Sequence, residues 1–261
     1  MNAASFLPLA QLGDDFFSDR SEASCIRDNG AFCLDWVVDN LDRYVAPTQE
    51  HLVLVLVSVA IGFLIAFAMA LASRRRRWLV PPFLGATGVL YTVPSLAFFF
   101  LLLPITGRGT DTAIIALTAY TLQIIYRNIV AGLANVPPET KDAARGVGMT
   151  DRQMLWRVEL PMALPEIVAG VRIATVSTVA IASLAVFAGG GGLGTEILDD
   201  LTFRTGVVVV GLILIVMALV FDLLLVLLQR RLTRWSRASD AARGVGSSRL
   251  GPLRRPAWTG R

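Results

Sequence analysis

The sequence predicts an all-α, polytopic membrane protein with about five transmembrane helices. Three observations predict it. Of 261 residues, 54% are hydrophobic, and the mean hydropathy is +0.61, more apolar than an ordinary soluble domain. Five segments approach or exceed the roughly 20 mainly apolar residues that a spanning helix needs. Charge is segregated along the chain. Residues 1–50 carry nine acids against Arg20, Arg27 and Arg43, whereas 230–261 carry nine arginines against Asp240 alone.

The clearest span is "HLVLVLVSVAIGFLIAFAMALA" (51–72). "LVPPFLGATGVLYTVPSLAFFFLLLPI" (79–105) is long and broken by prolines, and "TAIIALTAYTLQIIYRNIVAGLA" (112–134) carries a late arginine. "LPEIVAGVRIATVSTVAIASLAVFAG" (164–189) holds two early charges, and "TGVVVVGLILIVMALVFDLLLVLLQ" (205–229) closes the set. Three regions follow: an extracytoplasmic segment 1–49, a transmembrane domain 50–229, and a basic cytoplasmic tail 230–261 read as disordered. The start, "MNAASFLPLAQLGDDFFSD", has no basic n-region ahead of an apolar core and is not read as a signal peptide.

Basic residues flanking spans mark the cytoplasmic side. "RRRR" (74–77) follows the first span and "RRLTRWSR" (230–237) the fifth. Five spans put both clusters inside, with the N-terminus outside and segment 135–163 in the cytoplasm. Outside is oxidising, where a disulfide persists. "CIRDNGAFC" sets Cys25 and Cys33 around an Asn29-Gly30 turn signal, so the pair is open to disulfide formation or to free thiols. Next, Leu34, Val37, Val38, Leu41 and Val45 share helical spacing. This predicts an amphipathic helix on the outer membrane surface, with Trp36 and Tyr44 at headgroup level.

Segment 135–163 predicts helix, turn, helix. Asn135 is the expected cap and prolines occupy the first turn. The first helix runs to about Val147, and Gly148 supplies the left-handed residue that ends it. Thr150 with Gln153 forms a capping box for a second helix, which Pro161 stops. Thr140, Ala143, Ala144 and Val147 share one face, and Met149 fills an apolar gap at the turn. Such a face suits docking into a partner's groove; a well-capped solvated loop reads the same way.

The segment also resembles a known signature. Permease subunits of binding-protein-dependent ABC importers carry Glu-Ala-Ala, three residues, Gly, nine residues, Ile, one residue, Leu-Pro. Here it reads Asp142-Ala143-Ala144, Gly148, Val158, Glu159, Leu160-Pro161. The spacing is complete, with Asp for Glu and Val for Ile. The resemblance spans about 50–230. "LYTVPSLA" and "GGGGLG" look like the branch importing glycine betaine, carnitine, choline and related quaternary amines, although methionine and phosphonate permeases share similar glycine turns.

The resemblance implies a type I importer permease in the cell inner or plasma membrane. It implies two permease subunits, alike or paralogous, two ATPase subunits and an extracytoplasmic solute-binding protein, with no nucleic-acid partner. It implies that the ATPase grips Asp142, Ala143, Ala144, Val147, Gly148 and Met149, and that Leu160-Pro161 returns the chain to the membrane. The chain has no Gly-x4-Gly-Lys-Ser/Thr loop to cradle phosphates, and its one lysine is Lys141. No cofactor and no metal is therefore expected on this chain, ATP-Mg belongs to the partner, and no covalent chemistry is expected here.

Two further sets are candidates. Charges within spans carry a functional prior: Arg127, Glu166, Arg172 and Asp222 are expected near the cytoplasmic ends, either snorkelling, or as one ion-pair network, or as an inner gate. Gly190, Gly191 and Gly192 break a helix, and Pro94 breaks "YTVPSL". They are either punctuation or parts of the pathway, with Ser95 beside the break and Tyr91 offering a cation–π face. His51 is expected at the membrane interface without a function. An intramembrane enzyme would need paired catalytic groups, which the scattered charges do not offer; composition alone does not separate a transporter from a membrane scaffold.

Overall fold

The structure is a computed structural model, described for residues 25–233; of the tail 230–261 expected to be disordered, Arg230–Leu232 instead continue the last helix, and the part after 233 lies outside the described residues. Helices α1 (Leu34–Asp39), α2 (Val45–Arg75), α3 (Val80–Thr92) and α4 (Ser95–Thr106) come first. Then follow α5 (Thr110–Ala134), α6 (Pro138–Gly146), α7 (Asp151–Met154), α8 (Leu160–Ala182), α9 (Leu193–Asp199) and α10 (Arg204–Leu232). The described residues contain no strand.

Contacts at the two ends of the bundle fix the path. At one end, Glu50 at the start of α2 accepts the Gly192 N–H at 3.0 Å, and the Gly109 N–H donates to the Ala188 carbonyl at 2.8 Å. At the other end, the Arg74 guanidinium meets Glu159, and the Gln229 amide donates to the Pro165 carbonyl. Thus α2, α5 and α10 run from the glycine end to the arginine end, and α8 runs back. To join α2 to α5, the pair α3–α4 must return to the glycine end. Among the described residues, four helices are individually long enough to span, and the bent pair makes a fifth crossing.

That pair is bent by 99°, far more than the kink the sequence predicts. Proline disfavours a helical conformation in the preceding residue, and Val93 is extended at φ −67°, ψ 129°. Its freed carbonyl accepts the buried Tyr120 hydroxyl at 2.5 Å, which satisfies the backbone where lipid could not.

α5 is the axis of the bundle, packed between α2 and α8. Small residues let the backbones approach. Gly62 of α2 lies so close to Thr121 that a side chain there would overlap it, and a Cβ on Gly170 of α8 would sit 2.5 Å from that of Asn128. The apolar core falls into two parts: Leu54, Phe99, Leu117 and Val210 toward the glycine end, and Ala66, Tyr126, Ile129 and Ala163 toward the arginine end. α10 is the peripheral span, with Ile215, Leu219 and Leu223 exposed.

Four expectations are corrected. Pro161 does not stop a helix: α7 continues into α8 through a π-helical turn at Leu155–Glu159, and this local change of hydrogen-bond register accommodates the residue without an N–H at the second position of α8. Asn135 closes α5 and Pro137 precedes α6, because two successive prolines set the helix start. Trp36 and Tyr44 are buried in the protein, while Leu34, Val38, Leu41 and Val45 form the exposed stripe. The cause is a tertiary contact: Trp36 meets Phe203 edge-on at 4.7 Å, beside the Cys25–Cys33 loop. Finally, His51 is buried. Its Nε2 lies 3.0 Å from the Val179 carbonyl, and its ring packs on Gly192.

Candidate functional site

The hairpin Pro138–Glu159 is built as its sequence requires. Gly148 has φ +80°, where a Cβ would be strained. The Met149 N–H returns to the Ala144 carbonyl at 3.1 Å, closing the helix end. Thr150 and Gln153 form the reciprocal capping box. The expected docking face divides. Ala144 turns inward and is 6% exposed, and Lys141 reaches the Leu133 carbonyl. Glu139, Asp142, Ala143 and Gly146 face out, Val147 is 75% exposed, and Met149 is half-buried. Among the described residues, Asp142 pairs only with Arg145 of its own helix, at 3.0 Å, an exposed pair of little energetic weight.

Glu159 is the residue that sequence reasoning missed. It is 5% exposed and receives Arg74 Nε at 2.6 Å. Arg74 Nη2 also donates to the Asp151 carbonyl at 3.2 Å. One arginine of "RRRR" thus holds both arms of the turn leading into α8. The signal was an acid between two apolar residues in "VEL", which has to find a cation when buried. Leu160 is buried beside it, and Pro161 is half-buried.

Of the four span charges, two meet. Arg172 and Asp222 form a bidentate pair, with Arg172 Nη2 to Asp222 Oδ2 at 2.9 Å. Arg127 and Glu166 join no ion pair among the described residues, so of the alternatives open in the sequence, one network of all four is not formed. The Arg172–Asp222 pair is about one-third exposed in a recess with Ala169, Ile173 and Ser177.

At the glycine end, Gly192 (φ +77°) adopts a conformation L-residues avoid. Glu50 accepts its N–H and lines a cavity of about 490 Å³ with Gln49, Thr110 and Gly189–Gly191. Gly190 packs on Ala113 of α5. Two turns further along α5, Tyr120 supports the α3–α4 break and meets Tyr91 edge-on at 6.0 Å. Tyr91 and Pro94 are exposed and Ser95 half-buried. The glycine turn and the break are joined through α5. Neither Glu50 nor Tyr120 stands out in the sequence.

Cys25 and Cys33 are joined in a disulfide, with Cα atoms 6.2 Å apart. Their loop is tied to the turn before α10. Asn29 donates to the Thr202 carbonyl and accepts the Arg204 N–H, and Thr205 donates to the Gly30 carbonyl. Arg43 then clamps α9, reaching Glu196 at 2.5 Å and Asp200 at 3.2 Å.

Residues 58–234 match the family described as binding-protein-dependent transport system inner membrane component. This chain belongs to that family. Among curated relatives of the permease, the osmoprotectant import permease protein OsmW of Salmonella typhimurium is 36% identical over 207 residues, covering 77% of this chain and 96% of the relative. The choline transport system permease protein OpuBB of Bacillus subtilis is 34% identical over 188 residues, 71% and 87% of the two chains. The carnitine transport permease protein OpuCB of Listeria monocytogenes is 36% identical over 197 residues, 75% and 90%. The fold is shared with solved transporters. An inward-facing structure of the MetNI methionine ABC transporter superposes at a TM-score of 0.64 with 22% identity, covering 76% of the permease and 98% of that chain. An amino acid ABC transporter with histidines gives 0.64 and 22%, covering 75% and 96%. The permease is a multi-pass, all-α importer subunit of the inner membrane.

Proposed function

We propose that the permease translocates glycine betaine- and choline-type quaternary amines, delivered by an extracytoplasmic binding protein and driven by ATP hydrolysed on partner ATPase chains. The substrate class rests on the relatives named for osmoprotectants, choline and carnitine. The coupling reading rests on the hairpin: a small-residue face at Ala143 and Gly146 stands exposed, while Arg74–Glu159 ties the turn beyond it to α2 and α8. The arginine end is assigned to the cytoplasm on the segregated charge, with the N-terminus outside and the C-terminus inside. An ATPase seated on Asp142–Met149 passes its closure to α8 as a rigid-body movement.

Two permease subunits, alike or paralogous, enclose the pathway. A charged pair at membrane depth faces a protein interior or a water-filled cavity rather than lipid, so the exposed Arg172–Asp222 recess is assigned to that enclosed side. Tyr91 at the α3–α4 break and the Gly190–Gly192 turn are assigned to the passage, with Tyr91 offering its ring to the cation. The test is reconstitution of the permease with its ATPase and binding protein in proteoliposomes. Expected is ATP-dependent uptake of labelled choline or glycine betaine, with ATPase activity stimulated by the loaded binding protein. Hydrolysis without uptake of any quaternary amine would refute the substrate reading.

A further inference from the structure

The arginine run 74–77 has the sequence of a topological anchor, but the structure divides it. Arg74, Arg75 and Arg77 line a cavity of about 840 Å³ together with Lys141, Arg145 and Arg152; Arg76 does not. Its acids are Asp151 and Glu159, and Glu159 is already engaged by Arg74. Among the described residues, no carboxylate pairs with Arg75, Arg77 or Arg152. The cavity's apolar lining is Leu71, Met154, Leu155 and Trp156. Trp156 packs toward Phe67, one turn deeper in α2. A cavity that is apolar toward the bilayer and cationic toward water matches an amphiphile with an anionic head.

We infer that this cavity binds the phosphate of an anionic phospholipid, with the head among Arg75, Arg77 and Arg152 and the glycerol and upper acyl carbons over Leu71 and Trp156. Planar guanidinium groups bind phosphate oxygens bidentately, and polybasic clusters beside a span attract anionic lipid. The location favours lipid over a protein partner. The hydrophobic run of α2 ends at Ala72, so the cavity opens at the membrane boundary. Lys141 and Arg145 line it from one side of α6, whereas the outward Glu139, Ala143 and Gly146 lie on the other. The cavity touches the end of α2, α6 and the arm Asp151–Glu159, so a bound phosphate braces the hairpin against the first span. Lipid binding of this kind does not depend on which solute is carried.

The assembled transporter, in nanodiscs containing equal phosphatidylglycerol and phosphatidylcholine, is analysed by native mass spectrometry for retained lipid. Expected is preferential retention of phosphatidylglycerol, weakened about fivefold for each of Arg75→Gln and Arg152→Gln and weakened less by Arg75→Lys, which keeps the charge but loses the bidentate fork. Arg76→Gln removes the same charge from the same surface and is expected to retain lipid normally. A second arm adds inorganic phosphate to transporter in phosphatidylcholine alone. Phosphate retained with the same arginine dependence, while phosphatidylglycerol is not, would overturn the lipid in favour of a soluble phosphate. Equal retention of both lipids by the unmodified transporter, or an equal effect of Arg76→Gln, overturns the site. Loss of the ATPase from the Arg75 and Arg152 variants with lipid unchanged overturns it in favour of an acidic protein surface.

Discussion

Arg74 and Glu159, 85 residues apart in sequence, meet at 2.6 Å and join the end of the first span to the entry of α8. The contact lies where α6, α7 and the membrane bundle come together, and Glu159 is almost fully buried. Removing one partner leaves a charge without compensation, a loss of about 3–5 kcal/mol for a buried pair. Arg74 retains some solvent contact, which places the expected loss at the lower end. Arg74→Gln is expected to lower the thermal unfolding midpoint in detergent clearly, and Glu159→Gln less, because it removes the buried charge itself. Equal midpoints for both variants and the parent would show that the pair carries no weight.

Gly148 and Ala143 test the hairpin as a transmitter. Gly148 sits at φ +80° with open space around it, so Gly148→Ala is expected to cost about 1–2 kcal/mol through backbone strain alone. Gly148→Pro also removes the N–H bonded to the Arg145 carbonyl. Ala143 faces out, so Ala143→Trp leaves folding intact and blocks the surface. Both Gly148→Pro and Ala143→Trp are expected to insert normally and to lose uptake with residual ATPase activity. Wild-type uptake in Ala143→Trp would remove this face from the coupling surface.

What the sequence made legible were the local signals. Hydropathy marked the five crossings, and Gly148 with the Thr150–Gln153 box marked the hairpin, because each acts on its own backbone. Proline at 94 announced a break but not its 99° bend, since that depends on Tyr120 reaching Val93 from another helix. Pro161 misled because the π-helical turn before it changes which N–H groups need acceptors. Trp36 and Tyr44 look interfacial by composition. Their burial follows from a tertiary event, the Cys25–Cys33 loop closing over the turn before α10.

That loop gives a redox prediction. A disulfide closing a short loop contributes about 2–3 kcal/mol in the chain-entropy model. Reduction, or Cys25→Ser with Cys33→Ser, is expected to release Asn29 and Gly30 from Thr202–Thr205 and to speed trypsin cleavage after Arg27, whose side chain is already exposed, by freeing the backbone of its loop. The membrane bundle, held by α2, α5 and α8, is expected to stay folded. Unchanged cleavage kinetics after reduction would show that the clip holds without its covalent bond.

Two glycines in spans separate packing from composition. Gly62 abuts Thr121, whereas a methyl group placed on Gly211 of α10 would meet no heavy atom within 4 Å. Gly62→Leu is expected to force α2 from α5 and abolish stable expression. Gly211→Leu adds apolar surface on the peripheral span and is expected to be neutral or slightly stabilising in detergent melting curves. A tolerated Gly62→Leu would mean that α2 and α5 pack with more slack than their contact indicates.

The Arg172–Asp222 pair separates a structural role from a role in transport. Each charge alone at membrane depth costs about 2.5–3.5 kcal/mol on insertion scales. Arg172→Leu and Asp222→Leu are therefore each expected to reduce membrane accumulation, and the double leucine variant to recover it, because no lone charge remains. Exchange of the two charges, Arg172→Asp with Asp222→Arg, is expected to accumulate as well, since the bidentate geometry tolerates reversal. Uptake then distinguishes the roles. If the pair only locks α8 to α10, both double variants transport whenever they accumulate. If the pair lines the pathway, the exchanged variant accumulates and transports poorly, because a guanidinium then stands where the Asp222 carboxylate faced the recess. Harmless single substitutions combined with a harmful exchange would show that the two side chains do not act as a pair at all.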